Sequence, residues 1–138
     1  MDITKTVKEK GRIAFVAHNQ KKAQMVSFAM KNKDLIESLG YDIVTTGSTG
    51  ERLEESGFYI YKKYKSGAYG GDFDIGSRIN DGKIKVLFFF LDPMSAHAHD
   101  ADISGLQRLC NVHNIPIASN PATAELVLKG LAKDIKVK

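Results

Sequence analysis

The strongest constraint on the fold comes from two short runs of consecutive apolar residues. Val86–Phe90 and Ile13–Ala17 are apolar at every position rather than at every second position. A strand with one solvent-exposed face alternates apolar and polar residues, whereas a strand covered on both faces is apolar throughout. Strands of that kind belong to parallel sheets, because the crossover helices that join parallel strands cover both faces. The two runs therefore predict the middle of a parallel α/β sheet.

Segments with helical spacing alternate with strand-like segments along the rest of the chain. The expected helices cover residues 22–39, with a polar stretch at 31–34 that would allow a break, and residues 51–56, 72–80, 103–113 and 120–130. The expected strands cover residues 13–17, 41–46, 58–61, 83–91 and 115–118. This alternation predicts one domain over residues 1–138, a three-layer α/β/α architecture with five parallel strands.

Composition and charge argue against several classes of protein. Twenty basic against sixteen acidic residues give a net charge of +4, and the lysines are scattered, so no basic run with interleaved aromatic residues indicates nucleic-acid binding. The run Val86–Leu91 is too short to span a membrane, and residues 1–12 lack the apolar stretch of a secretory signal. The single cysteine, Cys110, lies in an apolar pattern and excludes an internal disulfide. We expect a cytoplasmic protein that binds neither nucleic acid nor membranes.

Polar loops follow four of the predicted strands. They begin at His18, Gly47, Ser66 and Asp92. Ligands of open parallel sheets bind beyond the carboxyl ends of the strands, where such loops meet. The sequence therefore predicts a site on this edge of the sheet.

The loop Thr46–Gly50 has the composition of an anion site. Thr46, Ser48 and Thr49 supply hydroxyl groups, and the unhindered backbone amides at Gly47 and Gly50 precede a helix, whose N-terminus favours negative charge. Phosphate fits such a loop, although Ser48 or Thr49 could instead serve only as a helix cap. Ser66 and Gly67 could bind the same phosphate, and Lys22 could supply a positive charge.

Two further loops carry groups suited to proton transfer. Asp72 follows Gly70 and Gly71, which let the backbone approach a ligand closely, although Asp72 could also merely cap the next helix. His99 and Asp102 lie in the later loop, and a carboxylate beside an imidazole suits proton abstraction next to a carbonyl. Alternatively, His97 and His99 could share a metal ion, although the sequence offers no second ligand cluster.

Taken together, these residues resemble the methylglyoxal synthase family over about residues 12 to 130. The matching motifs are Val16-Ala17-His18, Lys22, Thr46-Gly47-Ser48-Thr49-Gly50, Ser66-Gly67, Gly70-Gly71-Asp72, and Asp92-Pro93 with His99 and Asp102. The resemblance implies a lyase that converts dihydroxyacetone phosphate into methylglyoxal and inorganic phosphate without a metal or organic cofactor. It also implies the strand order 3-2-1-4-5 and a homo-oligomer, typically a hexamer.

The resemblance further implies a role for each matching residue. Asp72 would be the catalytic base, His99 would contact the carbonyl side of the substrate, and Asp102 would be its acidic companion. The implied substrate contacts, most of them to phosphate, are His18, Lys22, Thr46, Gly47, Ser48, Thr49, Ser66 and Gly67. Arg108 also matches an arginine of the family.

The match departs from the family pattern at four positions. Asn19 stands where the family has aspartate, and Ala68, Ala98 and Ala101 stand where it has proline. Losing proline frees the backbone, so we expect looser loops around Asp72 and His99. The same type of domain also occurs as a regulatory module in carbamoyl phosphate synthetase and in a purine-biosynthetic enzyme. A non-catalytic domain that binds a phosphorylated metabolite is therefore the alternative function.

Overall fold

The computed structural model describes residues 11–94 and 101–137. Five strands lie in these ranges: β1 (Arg12–Ala17), β2 (Asp42–Thr46), β3 (Lys62–Tyr64), β4 (Ile84–Phe90) and β5 (Ile117–Ala118). They form one parallel sheet in the order β3-β2-β1-β4-β5. In the central strand, Phe15 pairs with Thr45 of β2 and with Phe88 of β4. The predicted parallel sheet and its strand order are confirmed.

Helices connect the strands and follow the last of them. Within the described ranges they are α1 (Lys22–Lys31), α2 (Lys33–Leu39), α3 (Thr49–Glu55), α4 (Gly71–Asn80), α5 (Ala101–Val112) and α6 (Pro121–Val137), with 3-10 turns at Asn19–Lys21 and Gly67–Tyr69. None of these helices is both long and apolar enough to cross a lipid bilayer.

Successive residues of β1 pack into opposite layers. Ile13 and Phe15 contact the layer formed by α1, α2, α3 and α6, whose core side chains include Met25, Phe28, Ile36, Leu53 and Leu128. Ala14 and Val16 contact the layer formed by α4 and α5, whose core side chains include Ile75, Ile79, Leu106 and Cys110. Burial on both faces explains why Ile13–Ala17 is apolar at every position, and it confirms the three-layer architecture.

Cys110 is a core residue, as the sequence pattern predicts. Its side chain is fully buried in the layer of α4 and α5. Burial raises the pKa of the thiol to about 11, because the thiolate would lose its hydration. The thiol is therefore a packing group rather than a nucleophile.

Asn32 separates α1 from α2 within the polar stretch that allows a break. Its side-chain amide donates to the carbonyl oxygen of Phe28 and to Oε1 of Glu125, each at 2.9 Å. The bond from Asn32 lowers the pKa of Glu125, burial of the carboxylate opposes this effect, and Lys31 lowers the pKa further. Asn32, at the junction of α1 and α2, thus links these two helices to α6.

The strand predicted at residues 58–61 is misplaced. β3 begins at Lys62 and pairs with β2 through Lys62–Tyr64. Phe58 and Ile60 are buried in the core, but they lie in the connection that precedes the strand. Their apolar pattern results from burial of this connection, whereas the edge strand itself exposes Lys62 and Lys63 and carries little apolar signal.

The last helix is longer than the sequence predicts. Gly130 was expected to end it, but α6 continues to Val137. A glycine ends a helix when it adopts the left-handed conformation, as Gly40 does after α2 with a φ of 75°. Gly130 is not among the glycines with positive φ, so the helix passes through it.

Candidate active site

A cavity of about 120 Å³ lies where the carboxyl ends of β1, β2 and β4 meet the loop after β3. Its walls are formed by Val16, Ala17, His18, Asn19, Lys22, Thr46, Gly47, Ser66, Gly67, Asp72 and Phe89. Segments distant in sequence therefore converge on one small volume, as the strand-end loops predict. A cavity of this size has room for a small metabolite and not for a polymer.

Gly47 provides a turn that other residues would strain to make. Its φ is +59°, and its N–H donates to the carbonyl oxygen of Tyr64 at 3.0 Å, which joins the ends of β2 and β3. A Cβ at this position would lie 3.5 Å from Nζ of Lys22 and 3.4 Å from Cβ of Ser66. The backbone of Gly47 therefore lies between the lysine and the serine predicted to bind phosphate.

Lys22 brings a positive charge into the cavity wall. Its side chain is buried, and Nζ donates a hydrogen bond of 2.9 Å to Oγ of Ser48. Burial lowers the pKa of Lys22, the nearby positive charge of Arg52 lowers it further, and Glu51 opposes both effects. A buried ammonium group beside hydroxyls and backbone amides is suited to bind an anion.

Ser48 does not serve as a simple helix cap. It occupies the N-cap position of α3, but its side chain makes no capping hydrogen bond. Its hydroxyl accepts from Lys22 instead. Ser48 thus holds the N-cap position that the capping alternative predicts, but its hydroxyl bonds to Lys22 rather than to the helix backbone.

Asp72 enters the cavity from the first turn of α4, where its side chain is 6% exposed. The N-cap of this helix is Gly70, with a φ of +95° and no side-chain capping bond, so Asp72 is not the cap. A Cβ on Gly71 would collide with the carbonyl oxygen of Lys65. A Cβ on Gly67 would lie 2.7 Å from Oδ2 of Asp72. The glycines thus let the backbone pass close to this carboxylate.

The His18 ring lies against the end of β4. Asp92 N–H donates to Nδ1 of His18 at 2.9 Å, and His18 N–H donates to the carbonyl oxygen of Phe90 at 3.1 Å. The ring also stands edge-on to Phe89, with centroids 5.5 Å apart and an interplanar angle of 89°. Both backbone and ring of His18 are therefore fixed against the neighbouring strand.

Most of the predicted substrate contacts lie in the cavity wall together with Asp72. They are His18, Lys22, Thr46, Gly47, Ser66 and Gly67. Ser48 reaches the cavity through Lys22. Thr49 is fully buried and is not among the lining residues, and its Oγ1 has no hydrogen-bond partner in the described part of the chain. Direct contact of Thr49 with a ligand stays a prediction.

The predicted partners of Asp72 lie beyond what the structure describes. His97 and His99 lie outside the described residues, and Asp102 belongs to α5 without a described side chain. Within the described ranges, no group of three histidine, cysteine or carboxylate side chains could hold a metal ion. The catalytic roles of His99 and Asp102, and the metal alternative, stay predictions.

The sequence reasoning missed two contributors to the site. Phe89 lines the cavity and packs against His18, but in sequence it is one of several consecutive apolar residues. Its register partner is Val16, which also lines the cavity, so strand pairing could have revealed it. The backbone amide of Asp92 contributes to the site by donating to His18. Every residue except proline has such an amide, so the residue type gives no sign of this contact.

Fold and cavity together define an α/β domain with a small cavity at the carboxyl ends of parallel strands, where a buried ammonium group and a buried carboxylate line the wall. The MGS-like domain family model matches residues 24–119, which is more than half of the chain. The chain belongs to the MGS-like domain family, and the resemblance inferred from its motifs is confirmed.

Three similar proteins with high coverage of this chain are all named methylglyoxal synthase. The chain is 47% identical over 119 residues to "Methylglyoxal synthase" of Clostridium botulinum (strain Eklund 17B / Type B), a match that covers 86% of this chain and 98% of the relative. It is 41% identical over 120 residues to "Methylglyoxal synthase" of Borreliella afzelii (strain PKo), a match that covers 87% of this chain and 93% of the relative. The crystal structure of methylglyoxal synthase from Elizabethkingia anophelis NUHP1 matches with a TM-score of 0.78 and 38% identity, covering 88% of this chain and 79% of that one. These relatives favour the enzyme over the regulatory domain.

Proposed function

We propose that this protein is a methylglyoxal synthase, a lyase that converts dihydroxyacetone phosphate into methylglyoxal and inorganic phosphate. One observation carries the proposal. The buried carboxylate of Asp72 shares a small cavity with the buried ammonium group of Lys22. The first group suits proton abstraction and the second suits phosphate binding, and the reaction requires both.

The phosphate group of the substrate is bound by the ends of β2 and β3. Lys22 supplies the charge, Ser48 orients it, and Gly47 with Ser66 and Gly67 supplies backbone or hydroxyl donors beside it. The start of α3 adds the favourable potential of a helix N-terminus.

The reactive end of the substrate lies toward Asp72. Its carboxylate removes a proton from the carbon that bears the hydroxyl group, and the electron pair forms an enediolate. In the roles that the family resemblance implies, His99 donates a hydrogen bond to the oxygen that becomes negative, and Asp102 supports His99. The neighbouring C–O bond then breaks, and phosphate leaves with the two electrons of that bond and takes up the hydroxyl proton. The enediolate electrons shift to form the aldehyde C=O and a new C=C bond, and the resulting enolate gains a proton at its CH2 carbon to become methylglyoxal.

The torsion of the phosphate group decides which product forms. Phosphate can leave only when its C–O bond is roughly perpendicular to the enediolate plane, where it overlaps the π system. A cavity that holds this bond in the plane would preserve the phosphate and favour isomerisation. The loops around Gly47 and Ser66 therefore control orientation as well as affinity.

The test replaces the proposed base, Asp72, and leaves the residues proposed to bind phosphate unchanged. Asp72→Asn lowers kcat by about 10³-fold, because amide nitrogen and oxygen cannot accept the substrate proton, while the affinity for inorganic phosphate stays within about twofold. Asp74→Asn is the matched control, since Asp74 is exposed on the same helix two positions further on. Methylglyoxal and phosphate release are measured together from dihydroxyacetone phosphate, and phosphate binding by calorimetry.

Two outcomes contradict the proposal. Phosphate binding by a wild-type protein that forms neither product would identify the regulatory domain. Equal turnover in Asp72→Asn and Asp74→Asn would remove Asp72 from the catalytic role.

The remaining family properties belong to the same proposal. The enzyme works in the cytoplasm as a homo-oligomer, a hexamer in the family, and uses neither a metal nor an organic cofactor. Sedimentation equilibrium measures the oligomer. Undiminished turnover after exhaustive dialysis against a chelator tests independence from metal.

A further inference from the structure

The hydrogen bond between Asp92 and His18 determines which ring nitrogen of the histidine carries the proton. A backbone amide can only donate, so Nδ1 of His18, 2.9 Å from the Asp92 nitrogen, must accept. A neutral imidazole that accepts at Nδ1 carries its hydrogen at Nε2. The His18 ring, which lines the cavity, is therefore a hydrogen-bond donor through its other nitrogen.

A turn built on the Asp92 side chain holds this amide in place. Oδ1 of Asp92 accepts from the N–H of Met94 at 3.0 Å, across Pro93. Such an Asx turn fixes the backbone of the aspartate itself, and proline restricts the residue before it. The His18 N–H bond to the carbonyl oxygen of Phe90 fixes the other side of the contact. Both partners of the tautomer-selecting bond are thus held by local structure.

We propose that Asp92 is a positioning residue: its side chain holds the turn that directs its own N–H to Nδ1 of His18, and so keeps the neutral ring of this cavity-wall residue in the form that carries its hydrogen at Nε2. The tautomer follows from the protein alone, but its use in binding rests on the proposed function, in which the Nε2–H group donates to an oxygen atom of the phosphorylated substrate. The opposite tautomer would present a lone pair to the ligand, and an unprotonated phosphate oxygen has no hydrogen to donate to it.

The test separates the turn from the charge. Asp92→Ala removes the acceptor for Met94 N–H, whereas Asp92→Asn retains an oxygen acceptor and the turn without the charge. Asp34→Ala serves as the control, because Asp34 is exposed on α2. Nitrogen-15 spectra of the histidine rings at alkaline pH report the tautomer, and His18→Gln assigns the signal by its disappearance from the four histidines.

We expect the wild type, Asp92→Asn and Asp34→Ala to show a protonated Nε2 and an unprotonated Nδ1 at His18. Asp92→Ala gives shifts averaged between the two tautomers, and kcat/KM for dihydroxyacetone phosphate falls about fivefold to tenfold, the loss expected for one hydrogen bond. Asp92→Asn stays within about twofold of the wild type in kcat/KM.

Two results overturn the inference: an unchanged His18 tautomer in Asp92→Ala, or an equal loss of kcat/KM in Asp92→Ala and Asp92→Asn, which would make the charge itself the active feature. The tautomer is measured without substrate. A wild-type protein that forms no methylglyoxal but shows the expected tautomers in all variants would therefore overturn the proposed function and support the positioning role of Asp92.

Discussion

Lys22 carries a charge that its surroundings make costly. The side chain is buried, its pKa is lowered first by burial and then by Arg52, and its donor bond goes to the neutral hydroxyl of Ser48. No carboxylate forms a salt bridge with it among the ion pairs of the described residues. A bound phosphate would supply the missing negative charge. Because the unpaired charge is unfavourable in the ligand-free protein, pairing it with an anion strengthens binding of that anion.

The lowered pKa of Lys22 predicts that phosphate affinity falls at alkaline pH. Because burial and Arg52 lower the pKa of Lys22, its ammonium group loses its proton at a lower pH than that of an exposed lysine, whose usual pKa is 10.5. The association constant for inorganic phosphate therefore declines as the pH rises toward that value, where phosphate stays a dianion. In Lys22→Arg the decline is absent, since a guanidinium group stays charged. Isothermal titration calorimetry measures both profiles, and parallel profiles in wild type and Lys22→Arg would contradict the prediction.

At the residue scale, the sequence could reveal side chains that mark a site by type and place. His18 and Gly47 directly follow predicted strands, Asp72 follows a pair of glycines where a loop enters a helix, and the structure brings all three residues to one cavity. The sequence could not reveal that Phe89 and the backbone amide of Asp92 contribute to the site. An apolar residue in an apolar run carries no distinguishing signal, and the direction of a backbone amide depends on the turn around it.

The start of α4 shows how an element brings a buried carboxylate to the cavity. The turn Gly67–Tyr69 folds back on itself through N–H bonds from Tyr69 and Gly71 to the carbonyl oxygen of Ser66, at 2.9 and 3.0 Å. The helix then begins at Gly71, pressed against the backbone of Lys65. The position of Asp72 is therefore determined by how closely two backbone segments approach.

Gly71→Ala tests this close approach. The added methyl group would overlap the Lys65 carbonyl oxygen, so the start of α4 must shift. We expect a loss of about 1–3 kcal/mol in the free energy of unfolding and a fall of about 10²-fold in kcat, since a carboxylate displaced by an ångström no longer aligns with the substrate. Urea unfolding and initial rates measure the two effects.

Gly130→Ala is the control for that substitution. Nothing lies within 4 Å of a Cβ at this position, and the residue is inside α6. Replacing a helical glycine by alanine stabilises a helix by up to about 1 kcal/mol, so stability should rise while kcat stays unchanged. A Gly71→Ala protein that behaves like Gly130→Ala would show that the contact with Lys65 does not position Asp72.

At the element scale, prediction succeeded where pattern and burial coincide. The runs Ile13–Ala17 in β1 and Val86–Phe90 in β4 are apolar because helices cover both faces of the sheet, so the positions of these strands could be inferred to within a residue or two. Prediction failed for β3, whose exposed lysines carry no strand signal while Phe58 and Ile60 before it are buried. Burial and hydrogen-bonded pairing are separate properties, and the sequence pattern reports only the first.

The cavity forms where segments distant in sequence meet. The cavity is lined from β1, β2, β4 and the loop after β3, so its wall exists only when the sheet has assembled. The unfolded chain holds none of these groups together. Any ligand of the cavity therefore stabilises the folded state alone and shifts the global unfolding equilibrium.

That coupling predicts a thermal shift with inorganic phosphate. At a phosphate concentration about 100 times its dissociation constant, stability rises by about 2.7 kcal/mol, which raises Tm by roughly 5–10 °C for a domain of this size. Chloride at equal ionic strength controls for screening of the net charge of +4. Lys22→Met removes the charge from the cavity wall, so its Tm should respond to phosphate no more than to chloride. Equal phosphate shifts in wild type and Lys22→Met, measured by calorimetry, would place the anion site elsewhere on the molecule.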